Sequence, residues 1–235
     1  MPRHHNPKIP AILIVGLISL AVPTITRAQE DDSSAKLVTD FKNERIFWKQ
    51  FQIATKIVAL RDTRVLIELK PLLNDDDMRL RANAGFVFAA LGDDRGFETI
   101  KAVLNDVSYT SPTRSGERVS ADRYYAAHLF GDLKDKRAVP ILIPLLDDGR
   151  VNHIVPWSLG QIGDRSAIPP LIRELSDKNP DMRVLSVYAL ETLRAKEALP
   201  QLRSLLSDNE TIHFDGLGTV SEAARAAIAK LESVP

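Results

Sequence analysis

Along most of this chain apolar side chains return every three or four positions, the spacing that lays one stripe down a helix. The pattern breaks and restarts in copies: "FVFAALGDDRGFETIKAVLND", "HLFGDLKDKRAVPILIPLLDD", "WSLGQIGDRSAIPPLIRELSD" and "YALETLRAKEALPQLRSLLSD". Aligned on the helix-closing residues Leu91, Leu133, Ile162 and Leu193, the copies are 42, 29 and 31 residues apart. A fainter copy closes at Leu60, 31 residues before Leu91, and a last helix, "VSEAARAAIAKL", closes at Leu231.

In each copy the positions zero, three, four and seven before the closing residue are mostly apolar or small. They are Leu91, Phe88, Val87 and Ala84; Leu133, Phe130, Leu129 and Ala126; Leu193, Leu190, Ala189 and Ser186. Gly92 and Gly163 fall just past helix ends, where a left-handed residue is wanted, and Lys134 and Arg194 take that place in two other copies. Pro140, Pro169 and Pro200 suit the first turn of the following helix. One helix pair cannot bury such a stripe alone, so successive pairs must stack.

The motifs Ala90-Leu91-Gly92-Asp93, Arg137-Ala138-Val139-Pro140, Ile162-Gly163-Asp164, Ala167-Ile168-Pro169 and Asp181-Met182-Arg183 give the chain its family likeness. Over residues 43–233 it resembles the HEAT repeat family, in particular the short HEAT-like repeats of the phycobilisome lyase type. The resemblance implies an all-α, right-handed α-solenoid of about five helix pairs, with the Arg-led helices along the concave side. It also implies a ladder of hydrogen bonds between neighbouring turns, from Asp75 with Arg81, Asp106 with Arg123 and Asp177 with Arg183. Asn152 stands in the arginine position of the intervening copy. The likeness extends to the repeats alone and identifies no catalytic residue.

The ends and the irregular spacings divide the chain further. Arg3 and Lys8 precede an apolar run from Ala11 to Val22 and a polar segment ending Thr26-Arg27-Ala28, the layout of a secretory signal peptide over residues 1–28, with cleavage expected after Ala28. The run is shorter than the roughly 20 residues a spanning helix needs. Residues 29–42 read as a flexible leader, and 106–120 and 209–218 as polar surface insertions. These segments predict a protein exported from a bacterial cytoplasm, periplasmic or secreted, with no membrane attachment after cleavage.

Composition then narrows the chemistry. Lys plus Arg (31) equals Asp plus Glu (31), so no net field draws the chain to nucleic acid. With no cysteine, disulfides, Cys-ligated zinc and thiol catalysis by this chain are excluded. His128 and His153 find no clear third ligand, which disfavours zinc. The His-Glu pairs of HEAT-fold iron hydroxylases are missing too, since each histidine is followed by His5, Asn6, Leu129, Ile154 or Phe214. No resident cofactor or metal is expected.

What remains is an aromatic column. On each Arg-led helix the positions five and nine before the closing residue point away from the buried stripe. They hold Phe86, His128, Trp157 and Tyr188, and Ala82, Tyr124, His153 and Val184. Phe, Tyr and Trp bury roughly 150 to 250 Å² each, so such a column approaches the ~300 to 600 Å² of a functional patch. Phe86, Tyr124, His128, His153, Trp157 and Tyr188 are therefore the expected contacts for another protein or peptide segment, in a non-catalytic scaffold. A competing reading has curvature, the leader or the 106–120 insertion cover these rings as core. Pro156 bears on His153, because it delays the helix start and would leave that residue in a loop. The alternatives in function are a lyase-like or chaperone role in attaching a cofactor to a partner protein, and a purely structural spacer.

Overall fold

A computed structural model describes residues 27–108, 116–213 and 218–233. Among these residues the chain is an α-solenoid. Its helices are α1 (Arg27–Asn43), α2 (Phe47–Leu60), α3 (Val65–Leu69), α4 (Met78–Ala90), α5 (Asp94–Asn105), α6 (Gly116–Leu133) and α7 (Val139–Leu142), followed by α8 (Val155–Ile162), α9 (Ile168–Glu174), α10 (Pro180–Thr192), α11 (Leu199–Ser204) and α12 (Val220–Ser233). Short 3₁₀ turns extend α3, α7, α8, α9 and α11. One layer stacks α2, α4, α6, α8, α10 and α12 in succession. The repeat stripes close the core between the layers: Ala84, Val87, Phe88, Ala126, Leu129, Phe130 and Leu190 lose all contact with solvent.

Most turns after the closing residue share their local chemistry. Gly92 (φ 88°) and Gly163 (φ 76°) take the left-handed conformation, and Arg61, Lys134 and Arg194 adopt it at φ 55°, 53° and 52° despite their side chains. The carboxylates of Asp93 and Asp135 then cap the next helix by accepting from Arg95 N and Arg137 N, and each is also gripped by that arginine's guanidinium. Asp62 and Arg64 repeat the arrangement.

Residues 29–42 are not a flexible leader, because they form most of α1. The second half of the segment carries Leu37, Val38 and Phe41 at helical spacing, and Val38 and Phe41 are fully buried against α2 and α3. Gln50 fixes the helix end by donating to the carbonyls of Phe41 and Glu44, both at 3.0 Å. The 106–120 insertion is likewise part helix. α6 begins at Gly116, and Val119 is buried at 2% exposure, so apolar contact draws the end of the insertion into the layer.

The 209–218 segment is pinned at both ends. Thr211 bridges Thr219, Ile212 is buried, and His213 N donates to Asp181 Oδ1 at 2.7 Å. Residues 109–115 and 214–217 lie outside the described residues, as does the expected signal segment up to Thr26. Arg27 and Ala28, beside the expected cleavage point, open α1. No described helix is long and apolar enough to cross a membrane.

Candidate functional site

The aromatic column is in place, and a helix outside it covers part of it. Phe47, Trp48 and Phe51 on α2 reach across the small residues of α4, where Ala82 is fully buried. Phe47 stacks on Tyr125 with ring centroids 4.0 Å apart, Trp48 meets His128 edge-on at 4.7 Å, and Phe51 meets Phe86 at 4.9 Å. His128 stacks on Trp157 (4.3 Å, 22° between planes) and Tyr124 on His153 (5.0 Å, 25°). The Arg79 guanidinium lies 5.2 Å over the Tyr125 ring and pairs with Asp122 at 3.2 Å.

Of the six expected contact residues, Phe86 is buried at 6% exposure and Tyr188 on α10 is exposed at 42%. Tyr124, His128 and Trp157 are half-buried, and His153 is exposed. The competing reading thus holds for Phe86, although α2 does the covering rather than the leader or the insertion. The signal for α2 was the five-residue run FWKQF at 47–51, which holds two of the eight phenylalanines and one of the two tryptophans. Pro156 sits in the first turn of α8, and His153 falls in the 3₁₀ turn Asn152–Ile154 ahead of it.

The close approach of α8 to α6 sets the stacked pair. A side chain on Gly131 would place Cβ 2.6 Å from the Trp157 ring and 3.0 Å from Ser158 Cα, so only glycine admits Trp157 there. Ser158 Oγ, buried beside it, donates to the carbonyl of Ala127 (2.9 Å) or Ile154 (3.1 Å) and ties the two helices together. One turn along α6, Asp132 Oδ2 faces His128 Nδ1 at 2.9 Å.

Burial pushes the Tyr124 phenol up to about 12, so the ring stays neutral at physiological pH. Loss of hydration beside the Tyr124 ring pulls the His153 imidazole below its ordinary value. Among the described residues no group of three or more His, Asp or Glu is arranged to hold a metal ion.

The ladder arginines lie elsewhere, along the turns, and their first acceptors are main-chain carbonyls. Arg81 Nε donates to Asp75 O (2.7 Å), Arg123 Nε to Leu104 O (2.8 Å) and Arg183 Nη1 to Asp177 O (2.7 Å). The carboxylate partner comes from the next turn: Asp148 for Arg123 and Asp208 for Arg183, each at 2.8 Å. Asp106 instead accepts from Ser108 N. Asp75 with Arg81 and Asp177 with Arg183 meet through the aspartate carbonyl, because an arginine entering a helix meets the orphan carbonyls of the preceding one.

Residues 147–213 match the family model of HEAT repeats, and residues 122–148 match the PBS lyase HEAT-like repeat. The matched stretches are HEAT repeats, the first of them along the chain of the phycobilisome lyase type. The chain is 31% identical over 137 residues to the bilin biosynthesis protein PecE of Nostoc sp., covering 57% of this chain and 53% of that protein. Against the phycocyanobilin lyase subunit alpha of Picosynechococcus sp. it is 30% identical over 162 residues, covering 57% of each. It is also 26% identical over 154 residues to the deoxyhypusine hydroxylase of Candida albicans, covering 63% of this chain and 45% of that protein. The chain spans about half the length of these relatives. They overturn the expectation of a non-catalytic scaffold: the proteins it resembles over more than half its length are a bilin biosynthesis protein and a phycocyanobilin lyase subunit, and lyases are enzymes.

Proposed function

We propose that this chain takes part, in a lyase-like role, in attaching a planar conjugated cofactor of the bilin class to a partner protein. The observation that carries this reading is the similarity to PecE and to the phycocyanobilin lyase subunit over more than half the chain. The geometry supplies a fitting surface. The half-buried faces of Trp48, Tyr125, His128 and Trp157 form an aromatic wall of the kind that stacks on a conjugated plane. Tyr188, exposed two helices beyond α6 in the same layer, is proposed to touch the partner protein, since aromatic side chains dominate such contacts.

The test is an absorbance titration of the purified protein with phycocyanobilin. Saturable binding near one equivalent is expected, weakened about tenfold or more in Trp157→Ala, which corresponds to roughly 1.4 kcal/mol. An unchanged spectrum with wild type sinks the reading. Residues 1–28 are proposed separately to direct export; N-terminal sequencing that starts at Gln29 supports this, and an intact Met1 refutes it.

A further inference from the structure

The aromatic wall contains one ionisable couple that packing does not explain. His128 Nδ1 and Asp132 Oδ2 are both sealed from solvent and face each other at 2.9 Å, on an approach too bent for a good hydrogen bond. Neither atom has any other hydrogen-bond partner. Buried polar atoms left so poorly satisfied cost stability, and a purely structural cluster would gain by replacing them with apolar groups. The other ring nitrogen differs. His128 Nε2 has no hydrogen-bond partner and, unlike Nδ1, does not stand among the sealed polar atoms. The neighbours against the ring from other helices, Trp48 and Phe51 on α2 and Trp157 on α8, are uncharged. Asp132 is thus the charged group that meets the imidazole.

We infer that His128 is the proton-transfer group of the attachment reaction and that Asp132 is its positioning residue, an inference that rests on the lyase-like reading above. A carboxylate 2.9 Å behind Nδ1 holds the imidazole with Nε2 on the opposite edge of the ring, where it can accept a proton. Lyase chemistry run towards attachment adds X–H across a conjugated double bond. The soft nucleophile suited to such a carbon is a thiol, which becomes nucleophilic when a neighbouring base takes its proton. This chain has no cysteine, so the thiol belongs to the partner. The S–H bond breaks and its proton passes to Nε2 while a sulfur electron pair forms the C–S bond. The proton then returns to the carbon that received the displaced π pair. The imidazole ends as it began, and no oxidant or reductant is consumed.

Two measurements test the assignment. The first is a footprint on wild-type protein: diethyl pyrocarbonate labelling read residue by residue by mass spectrometry, with and without saturating phycocyanobilin. His128 is expected to react and to be protected about fivefold or more, whereas His213, on the 209–218 segment, reacts equally in both. An inert or unprotected His128 overturns the inference. The second is the rate at which phycocyanobilin forms its adduct with 2-mercaptoethanol, compared at saturating phycocyanobilin so that a change in affinity does not enter. His128→Gln is expected to lose about 100-fold in that rate, the size of a general-base contribution. Asp132→Asn loses less rate at unchanged binding. Equal rates in wild type and His128→Gln, or bilin binding by wild type with no acceleration, sink the inference and leave the holding role standing. Failure of wild type to bind at all shows earlier, in the absorbance titration, and sinks the underlying reading itself.

Discussion

Phe86 on α4 and Tyr188 on α10 occupy the same place in their repeats, five residues before the closing leucine. One is 6% exposed and the other 42%. The difference lies in what neighbouring helices bring. Around Phe86 the layer is closed by rings from α2, through Phe51, Trp48 and Phe47. Around Tyr188 the polar contacts include Thr192 Oγ1 donating to the Tyr188 carbonyl (2.8 Å) and Lys230 bridging Glu191 (2.6 Å). A repeat position fixes the direction in which a side chain leaves its helix; burial is decided by the helices stacked on either side.

Alanine at each position tests that contrast most directly. Phe86→Ala is expected to cost about 3–5 kcal/mol, as for other buried phenylalanines. Tyr188→Ala should stay within about 0.5 kcal/mol, the usual range for surface changes. Urea denaturation of both variants measures this, and equal losses would show that Tyr188 is packed as core.

The polar hub of the C-terminal half gives the next effect. Arg183 is 6% exposed and reaches the Asp177 carbonyl, Asp208 and Glu210. Removing one member of a buried ion pair strands the other charge, so Arg183→Met is expected to cost about 3–5 kcal/mol. Arg203→Met breaks a bridge to Glu232 in which both side chains are about half exposed, and should cost about 0–1 kcal/mol. If both arginines prove equally dispensable, the 209–218 segment is not held through Arg183.

These two experiments separate what the sequence disclosed from what it concealed. The stacking of helix pairs was legible because Ala84, Val87 and Phe88 and their counterparts recur at helical spacing, and burial of that stripe needs no knowledge of distant neighbours. The site was legible only in part. Phe86, Tyr124, His128, His153 and Trp157 do converge, yet the cover over Phe86 and His128 comes from residues 47–51, more than thirty positions earlier in a faint copy where the column had not been traced. Asp132 escaped notice because an i, i+4 carboxylate is usually a solvated helix pair; its meaning depends on burial. The leader was misread because its acidic first half masked the helical spacing of Leu37, Val38 and Phe41.

Gly131 offers a smaller effect confined to the aromatic half. A Cβ there meets the Trp157 ring and the Ser158 backbone, and α8 cannot yield at a backbone contact without moving as a unit. Gly131→Ala is therefore expected to cost about 1–3 kcal/mol, the range for overpacked sites. Trp48 and Trp157 are the only tryptophans in the sequence, and both belong to this cluster. A shift in tryptophan emission should accompany the loss, while the hydrogen-exchange protection of α10 and α12 stays unchanged. Unaltered emission would show that the stacked pair tolerates separation.

The smallest effect concerns the turns, where the two halves differ by one side chain. Arg64, Arg95 and Arg137 hold the carboxyls of Asp62, Asp93 and Asp135 below the ordinary carboxylate range through side-chain hydrogen bonds. A depressed folded-state value means that the stabilisation is complete above the unfolded carboxylate range and drains away as pH falls through the folded values. In the last copy Ala195 occupies the capping position and supplies no side-chain acceptor. Acid should thus loosen the turns at 62–64, 93–95 and 135–137 before it affects 195–198, as read by amide exchange of Arg64, Arg95 and Arg137 against Ala198. Ala195→Asp supplies the missing acceptor, and a new N-cap contributes about 0.5–1 kcal/mol. The gain should appear at neutral pH and vanish as the new carboxyl is protonated. A gain that persists in acid would mean that the substitution acts through backbone preference rather than through capping.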